Sequence, residues 1–310
     1  MVPRSQVILL AAVAASFLVS LASAQINAYF LDVTIAIGIN IILATSLNLI
    51  NGFTGQFSLG HAGFMAIGAY AAADLTRNVG PKLLPLLGGQ TWILFPIALL
   101  IGGLMAAAAG LLVGAPSLRL KGDYLAIVTL GFGEIIKVIL QNVDRLGAAR
   151  GMGGIPGYSN LFWTFTFAAV SVYVVWALVN STYGRGFLAV SDDEVAAEAM
   201  GINTTRYKIT AFVVGSFFAG VAGGIYAHFR LFITPVGFDF NRSIEIVVMV
   251  ILGGMGNIVG VIIAAILLTL LPEILRPVQE YRMILYSLLL VILMLTRPQG
   301  LFTFARRARA

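Results

Sequence analysis

The chain contains no cysteine, which excludes disulfides, thiol nucleophiles and thiolate metal ligands. Its two histidines, His61 and His228, are too few for a metal site built on imidazole. Charge is scarce as well. Only 10% of the 310 residues are Asp, Glu, Lys or Arg, against about 25% in ordinary soluble domains. There is no Gly-Lys dipeptide, so the phosphate-cradling loop G-x-x-x-x-G-K-[ST] is missing. GFGEI (131–135) and GMGNI (254–258) carry glycines but lie in apolar helical surroundings, without the strand-turn-helix context of a nucleotide loop. No nucleophile stands with a base. The sequence therefore predicts no catalytic residue, no metal and no cofactor, and work done by this protein has to come from an ion gradient or another subunit.

What is present is apolar. Hydrophobic residues make up 59% of the chain and mean hydropathy is +0.97, the composition of an integral membrane protein embedded in a lipid bilayer. Long apolar runs rich in Gly and Ala predict an all-α bundle, because barrels show short alternating segments. The 34 glycines suit close helix packing. The formal net charge of +6 comes from Lys and Arg spread through the loops. It reads as membrane topology and headgroup attraction, not as a nucleic-acid surface. Apolar segments fall at 6–24, 28–50, 58–75, 92–115, 123–141, 161–180, 208–229 and 281–296, with a paired region at 244–271. Gly253, Gly254, Gly256 and Gly260 interrupt the paired region, which fits two short spans or a re-entrant hairpin. At the N-terminus, Arg4, an apolar run and Ala22-Ser23-Ala24 mimic a secretory signal. The near-spanning length of the run favours its retention as a span.

Between two apolar segments lies a charged island, residues 181–208. A charged residue at the centre of a span costs about 2.5–3.5 kcal/mol, so Asp192, Asp193, Glu194 and Glu198 together would cost on the order of 10 kcal/mol in lipid. They must sit in water. Good helix formers run from Glu194 to Met200, with Ser191 or Asp192 as the expected N-cap and Gly201 as the stop. A short exposed helix between spans reads either as a docking element for a soluble partner or as a solvated loop helix. Placing it in the cytoplasm puts both termini there too, including the basic tail at 297–310. Lys and Arg show only a slim bias toward that side.

Polar residues within apolar segments mark a permeation path unless they are paired or packed. The candidates are His61, Asn48, Glu134 and Glu245, beside Asp32, Asn40, Asp74 and Lys137. Glu134 and Lys137 share a helix face and are expected to neutralise each other. Asp32 and Asp74 sit near span ends, as interfacial residues do. His61, among the glycines of GQFSLGHAGFMAIGAY, reads equally as a pore-lining or a packing histidine. No series of acids runs along one helix, as an ion-coupled pump requires.

Five blocks then form a pattern: NGFTGQFSLGHAGFMAIGAYAAA (51–73), SLRLKGDYLAIVTLGFGEIIK (117–137), GRGFLAVSDDEVAAEAMGINTTRYKITAFVVGSFFAGVAGGIYA (184–227), VILGGMGNIVG (250–260) and YRMILYSLLLVILMLTRPQGLF (281–302). In this order they resemble the branched-chain amino acid ABC transporter permease family, LivM type, over nearly the whole chain from about residue 30. One departure is Leu146-Gly147-Ala148, where that family often has Thr-Gly-Gly. The resemblance implies a single permease domain over 1–310 in the bacterial cytoplasmic (inner) membrane, a multi-pass fold of about ten transmembrane segments. It also implies the partners: a second homologous permease subunit, two ATP-binding subunits, and a periplasmic or extracellular solute-binding protein that delivers an amino-acid-like small molecule. Asp192, Asp193, Glu194, Glu198 and Gly201 would then belong to the helix that couples the permease to its ATPases. The importer signature E-A-A-x-x-x-G is met only loosely, since Val195 stands at the Glu position. Leucine, isoleucine and valine are the default cargo, with urea, short amides, other amino acids or aromatic acids as alternatives on the same architecture. An ion-coupled secondary transporter would work alone, and a passive channel would need no docking helix.

Overall fold

Helix boundaries fall where capping side chains put them. The computed structural model describes residues 4–22, 27–86, 88–117, 123–276 and positions 287, 288 and 291. Its helices are α1 (Arg4–Ala22), α2 (Ala28–Asn51), α3 (His61–Asp74), α4 (Gly80–Leu86), α5 (Thr91–Ser117), α6 (Asp123–Gln141), α7 (Leu161–Asn180), α8 (Gly184–Asp192), α9 (Glu194–Ala199), α10 (Thr204–Arg230), α11 (Phe240–Gly253) and α12 (Ile258–Ile274). Asn27, Asn160, Asn203, Asp239 and Asn257 cap α2, α7, α10, α11 and α12, each accepting a backbone N–H from the first turn. A two-residue antiparallel pair, β1 (Met152–Gly153) with β2 (Phe232–Ile233), is the one sheet among the described residues. Five helices there are long and apolar enough to cross a membrane: α2, α5, α6, α7 and α10.

Two sequence expectations are refined. The segment at 58–75 becomes helical only at His61, because Ser58 is held by the Asn51 side chain and the Leu59 N–H donates to Thr129 Oγ1 at 3.0 Å. Side chains there replace the helical turn. The paired region resolves into α11 and α12, joined by a turn in which Gly254 and Gly256 take positive φ. The expected span at 281–296, the tail at 297–310, and Ser23 and Ala24 lie outside the described residues, apart from the isolated positions 287, 288 and 291.

At the centre, α10 packs against α5, α3 and α2, while α7 and α12 cover α2, and α1 lies on α7. Helices come close because small residues line the crossings. A Cβ built on Gly68 of α3 would lie 2.2 Å from Gly220 Cα of α10, and one on Gly102 of α5 would lie 2.7 Å from the Gly68 carbonyl oxygen. Large apolar side chains lie on both sides of the helices: Phe64, Tyr70, Phe95 and Phe212 are buried, while Leu104, Leu112, Tyr124 and Ile127 are exposed. Lipid tails are as apolar as leucine, so exposure of the second group costs little in a bilayer.

Loop contacts sort the bundle into two ends. Asp74 at the end of α3 pairs with Arg145 at 2.7 Å, and Met152 pairs with Ile233, so the loops after α3, α6 and α10 share one end. At the other end, Gly55 lies against Ser191 and Gly52 against Gly256, which gathers the α2–α3 loop, α8 and the α11–α12 turn. α11 starts part-way through the bundle, because Arg242 in its first turn donates to Asn40 near the middle of α2 at 2.7 Å.

Candidate functional site

The charged island folds as two short helices and the first turn of α10. The helix breaks at Asp193 (φ −157°, ψ 110°), whose carboxylate accepts from the Val195 and Ala196 N–H groups at 2.9 and 3.0 Å. Asp193 is thus the N-cap in place of Ser191 or Asp192; Asp192 ends α8. Gly201 does end the second helix, with φ +83°, a region that favours glycine.

The acids hold the element together more than they cover it. Glu194 pairs with Lys208 at 2.6 Å, where the lysine side chain is only 8% exposed, and Glu198 accepts from Thr204 Oγ1 at 2.7 Å. Both partners lie in the first turns of α10. From α8, Phe187 enters a cluster with Leu49 and Phe53 from the end of α2, Val175 and Val179 of α7, and Ala211 of α10. Gly186 lies flat on the Tyr207 ring. Facing outward from α9 are Val195 at 67% and Met200 at 83% exposure. The element is therefore a rigid foot bolted to three helices, with an apolar tip.

The four path candidates divide into two pairs. His61 and Asn48 are fully buried. The His61 Nε2 lies 2.9 Å from Ser46 Oγ, and Asn48 Oδ1 accepts from the Gly256 N–H at 2.9 Å. Glu134 and Glu245 are part-exposed and each pairs three residues away, Glu134 with Lys137 and Glu245 with Arg242. The expected neutralisation of Glu134 by Lys137 is present. Asn40 bridges Arg242 to Thr269. α6 touches α11, but the two ion pairs face different neighbours: Glu134 borders the slot between α3, α6 and α11, whereas Arg242 reaches Asn40 of α2. Between α3, α6 and α11 a slot of only about 10 Å³, lined by Gly63, Gly133, Glu134, Asp239 and Ser243, has the room of roughly one water molecule. The bundle is shut there.

Asp32 lies 3.7 Å from Arg230, and Asp74 holds Arg145, raising the guanidinium's pKa through a hydrogen bond and charge. Both acids are anchored at helix ends, as their positions suggested. Sequence reading passed over Gln56 and Ser58, which are buried beside His61. Their signal was present: uncharged polar residues between glycines, inside an apolar stretch. It also passed over His228, buried with Nε2 2.9 Å from Thr76 Oγ1 and stacked on Tyr158. Among the described residues no group of His, Cys, Asp and Glu could hold a metal ion.

Comparison with known proteins adds a direct result. Residues 29–295 match the family model described as branched-chain amino acid transport system / permease component. The chain is 37% identical to the high-affinity branched-chain amino acid transport system permease protein LivM of Escherichia coli K12, over 89% of this chain and 70% of that protein. It is 36% identical to LivM of Salmonella typhimurium, over 96% of this chain and 74% of that protein. It is also 24% identical to the E. coli K12 permease protein LivH, over 84% of this chain and 90% of that protein. No solved structure matches it.

Proposed function

This chain belongs to the branched-chain amino acid transport permease family, and from that premise we propose that it is a membrane-spanning subunit of an ATP-driven importer of leucine, isoleucine and valine. It is a transport subunit in a multi-pass membrane bundle, not an enzyme. The observation that carries the mechanism is the foot formed by α8 and α9 in a chain without a nucleotide loop. Movement of the ATPases reaches α2, α7 and α10 through Phe187 and the Glu194–Lys208 pair, with Val195 and Met200 entering the ATPase surface. The path runs along the side of α6 that exposes Ile127, Ile135, Val138 and Ile139, and a second, related permease covers it. That E. coli K12 holds both LivM and LivH, each similar to this chain, supports such a pair. We place the foot in the cytoplasm, the loop at 142–160 outside, and the whole at about ten spans in the inner membrane.

Vesicle uptake tests this reading. The chain has no source of work of its own, so reconstituted alone it should accumulate no labelled leucine, with or without ATP or an ion gradient. Adding the ATPases should not suffice either. Only the set completed by a second permease and a loaded binding protein should import, with leucine, isoleucine and valine taken up ahead of urea or short amides. Accumulation by the chain alone under a gradient would mean a secondary transporter, and rapid equilibration without accumulation a channel.

Orientation follows from the absence of cysteine. Ala199 and Ala149 are both exposed, at opposite ends of the bundle. In Ala199→Cys an impermeant thiol reagent should label inside-out vesicles only. In Ala149→Cys it should label spheroplasts. Labelling of position 199 from outside would remove the foot from any contact with ATPases.

A further inference from the structure

The loop from Gly52 to Gly60 has properties that holding two helices together does not require. After a turn at Gly52 and Phe53 it runs without regular secondary structure to α3, and most of its residues are buried. Its backbone touches three other elements closely. A Cβ on Gly52 would lie 2.3 Å from the Gly256 nitrogen at the α11–α12 turn, and one on Gly60 would lie 2.3 Å from the Thr129 carbonyl oxygen of α6. Gly55, at φ +67°, leaves 3.3 Å between a Cβ and Ser191 Oγ on α8. The loop is thus wedged between the foot, α6 and the α11–α12 turn.

Beside the apolar Phe53, Phe57 and Leu59, the loop carries two buried polar side chains, Gln56 and Ser58, that pair with nothing among the described residues. Gln56 and Ser58 are 3% and 0% exposed, His61 and Asn48 both 0%. Five of their atoms, Gln56 Oε1 and Nε2, Ser58 Oγ, His61 Nδ1 and Asn48 Nδ2, find no hydrogen-bond partner among the described residues. A loop serving packing alone would hold apolar residues or pair its amides, since each unpaired buried group costs its full desolvation. The set carries both donors and acceptors without formal charge. That chemistry suits water and the two ends of a zwitterion in passage, because dipoles solvate both without trapping either.

We propose that Gly52–His61 is the gate of the path at the end of the bundle that carries α8 and α9. Gln56 and Ser58 are the groups that hydrogen-bond a passing polar solute when it opens, and the Gly55–Ser191 contact is what opens it. The proposal rests on the transport reading above and adds to it the moving part.

The cysteine-free chain makes the gate measurable in the assembled, importing complex. Gln56→Cys and, as a second probe at an independent position, Ser58→Cys are treated with a small hydrophilic methanethiosulfonate, with the complex either nucleotide-free or trapped with ADP and vanadate. At least one of the two should react at least about tenfold faster in one state than in the other, as expected when an opened conformer becomes populated. Ala44→Cys, buried mid-helix in α2, should stay unreactive in both. Gly55→Val should hydrolyse ATP but lose leucine uptake. An importing complex in which positions 56 and 58 react equally in every state overturns the gate alone, as does normal uptake by Gly55→Val. A complex of the unaltered chain that imports nothing overturns the transport reading and the gate with it.

Discussion

Gly68→Leu is expected to yield no folded chain, and Gly68→Ala a chain that unfolds at a clearly lower temperature in detergent. Gly68 sits where α3, α5 and α10 cross backbone to backbone. A Cβ there would lie 2.2 Å from both Cα and the carbonyl oxygen of Gly220, far inside van der Waals contact. Gly220 is closely backed as well: a Cβ built on it would lie 2.5 Å from Ala106 Cβ and 2.8 Å from the Gly102 carbonyl oxygen, so α10 cannot yield by sliding into free space. Overpacking of a core costs about 1–3 kcal/mol when side chains can adjust. Here the obstacle is main chain, so Gly68→Ala should reach the upper end of that range and a leucine should exceed what a marginally stable fold can absorb. Gly131→Ala is the control. It lies within α6 and a Cβ there meets nothing within 4 Å. Helix propensity alone then makes it neutral or stabilising by up to about 1 kcal/mol. Equal loss in Gly131→Ala would show that glycine flexibility matters, not the crossing. An unchanged melting temperature in Gly68→Ala would mean that the three helices do not approach as described.

These glycines explain how much of the fold sequence reading could reach. Apolar length placed the long helices, because it acts along the chain, whereas the caps at Asn160, Asn203 and Asp239 went unread although their signal is local. Which glycine meets which is not local: Gly68 and Gly220 touch although they lie on different helices far apart in the chain, and no period relates them. The site shows the same division. The island had to lie in water on charge alone, and Glu134–Lys137 was readable as an i, i+3 pair. Glu194–Lys208 and Glu198–Thr204 were not, since they depend on the bend at Asp193 and the turn at Gly201. Of the four acids, Glu194 is thus half-buried against Lys208 while Asp192, Asp193 and Glu198 stay exposed. Gln56 and Ser58 escaped for a related reason. An uncharged polar residue in a glycine-rich stretch looks like a turn until the chain around it is seen to be buried.

The inward turn of Glu194 gives the second large effect. Glu194→Lys should abolish both ATPase stimulation and leucine uptake in the complex, while the chain still inserts, because no span is altered. The substitution sets two ammonium groups together where an ion pair of 2.6 Å stood, with Lys208 at 8% exposure and Glu194 at 24%. Breaking a buried pair costs about 3–5 kcal/mol, and the partial exposure of Glu194 brings the expected cost to about 2–4 kcal/mol. That is enough to release α9 from the first turns of α10 without unfolding the bundle. Lys208→Glu alone should fail likewise. The reversed double variant, Glu194→Lys with Lys208→Glu, restores opposite charges and should recover a substantial part of both activities. This recovery separates two roles for the acid. If Glu194 acts by contacting the ATPase, reversing a lysine inside the permease cannot restore the lost contact, and the double variant will be as inactive as the single. If it acts by anchoring α9 so that Val195 and Met200 point outward, the double variant recovers, and Met200→Asp becomes the substitution that uncouples with the anchor intact. Full activity in Glu194→Lys would sink both roles and leave the foot as a passive loop.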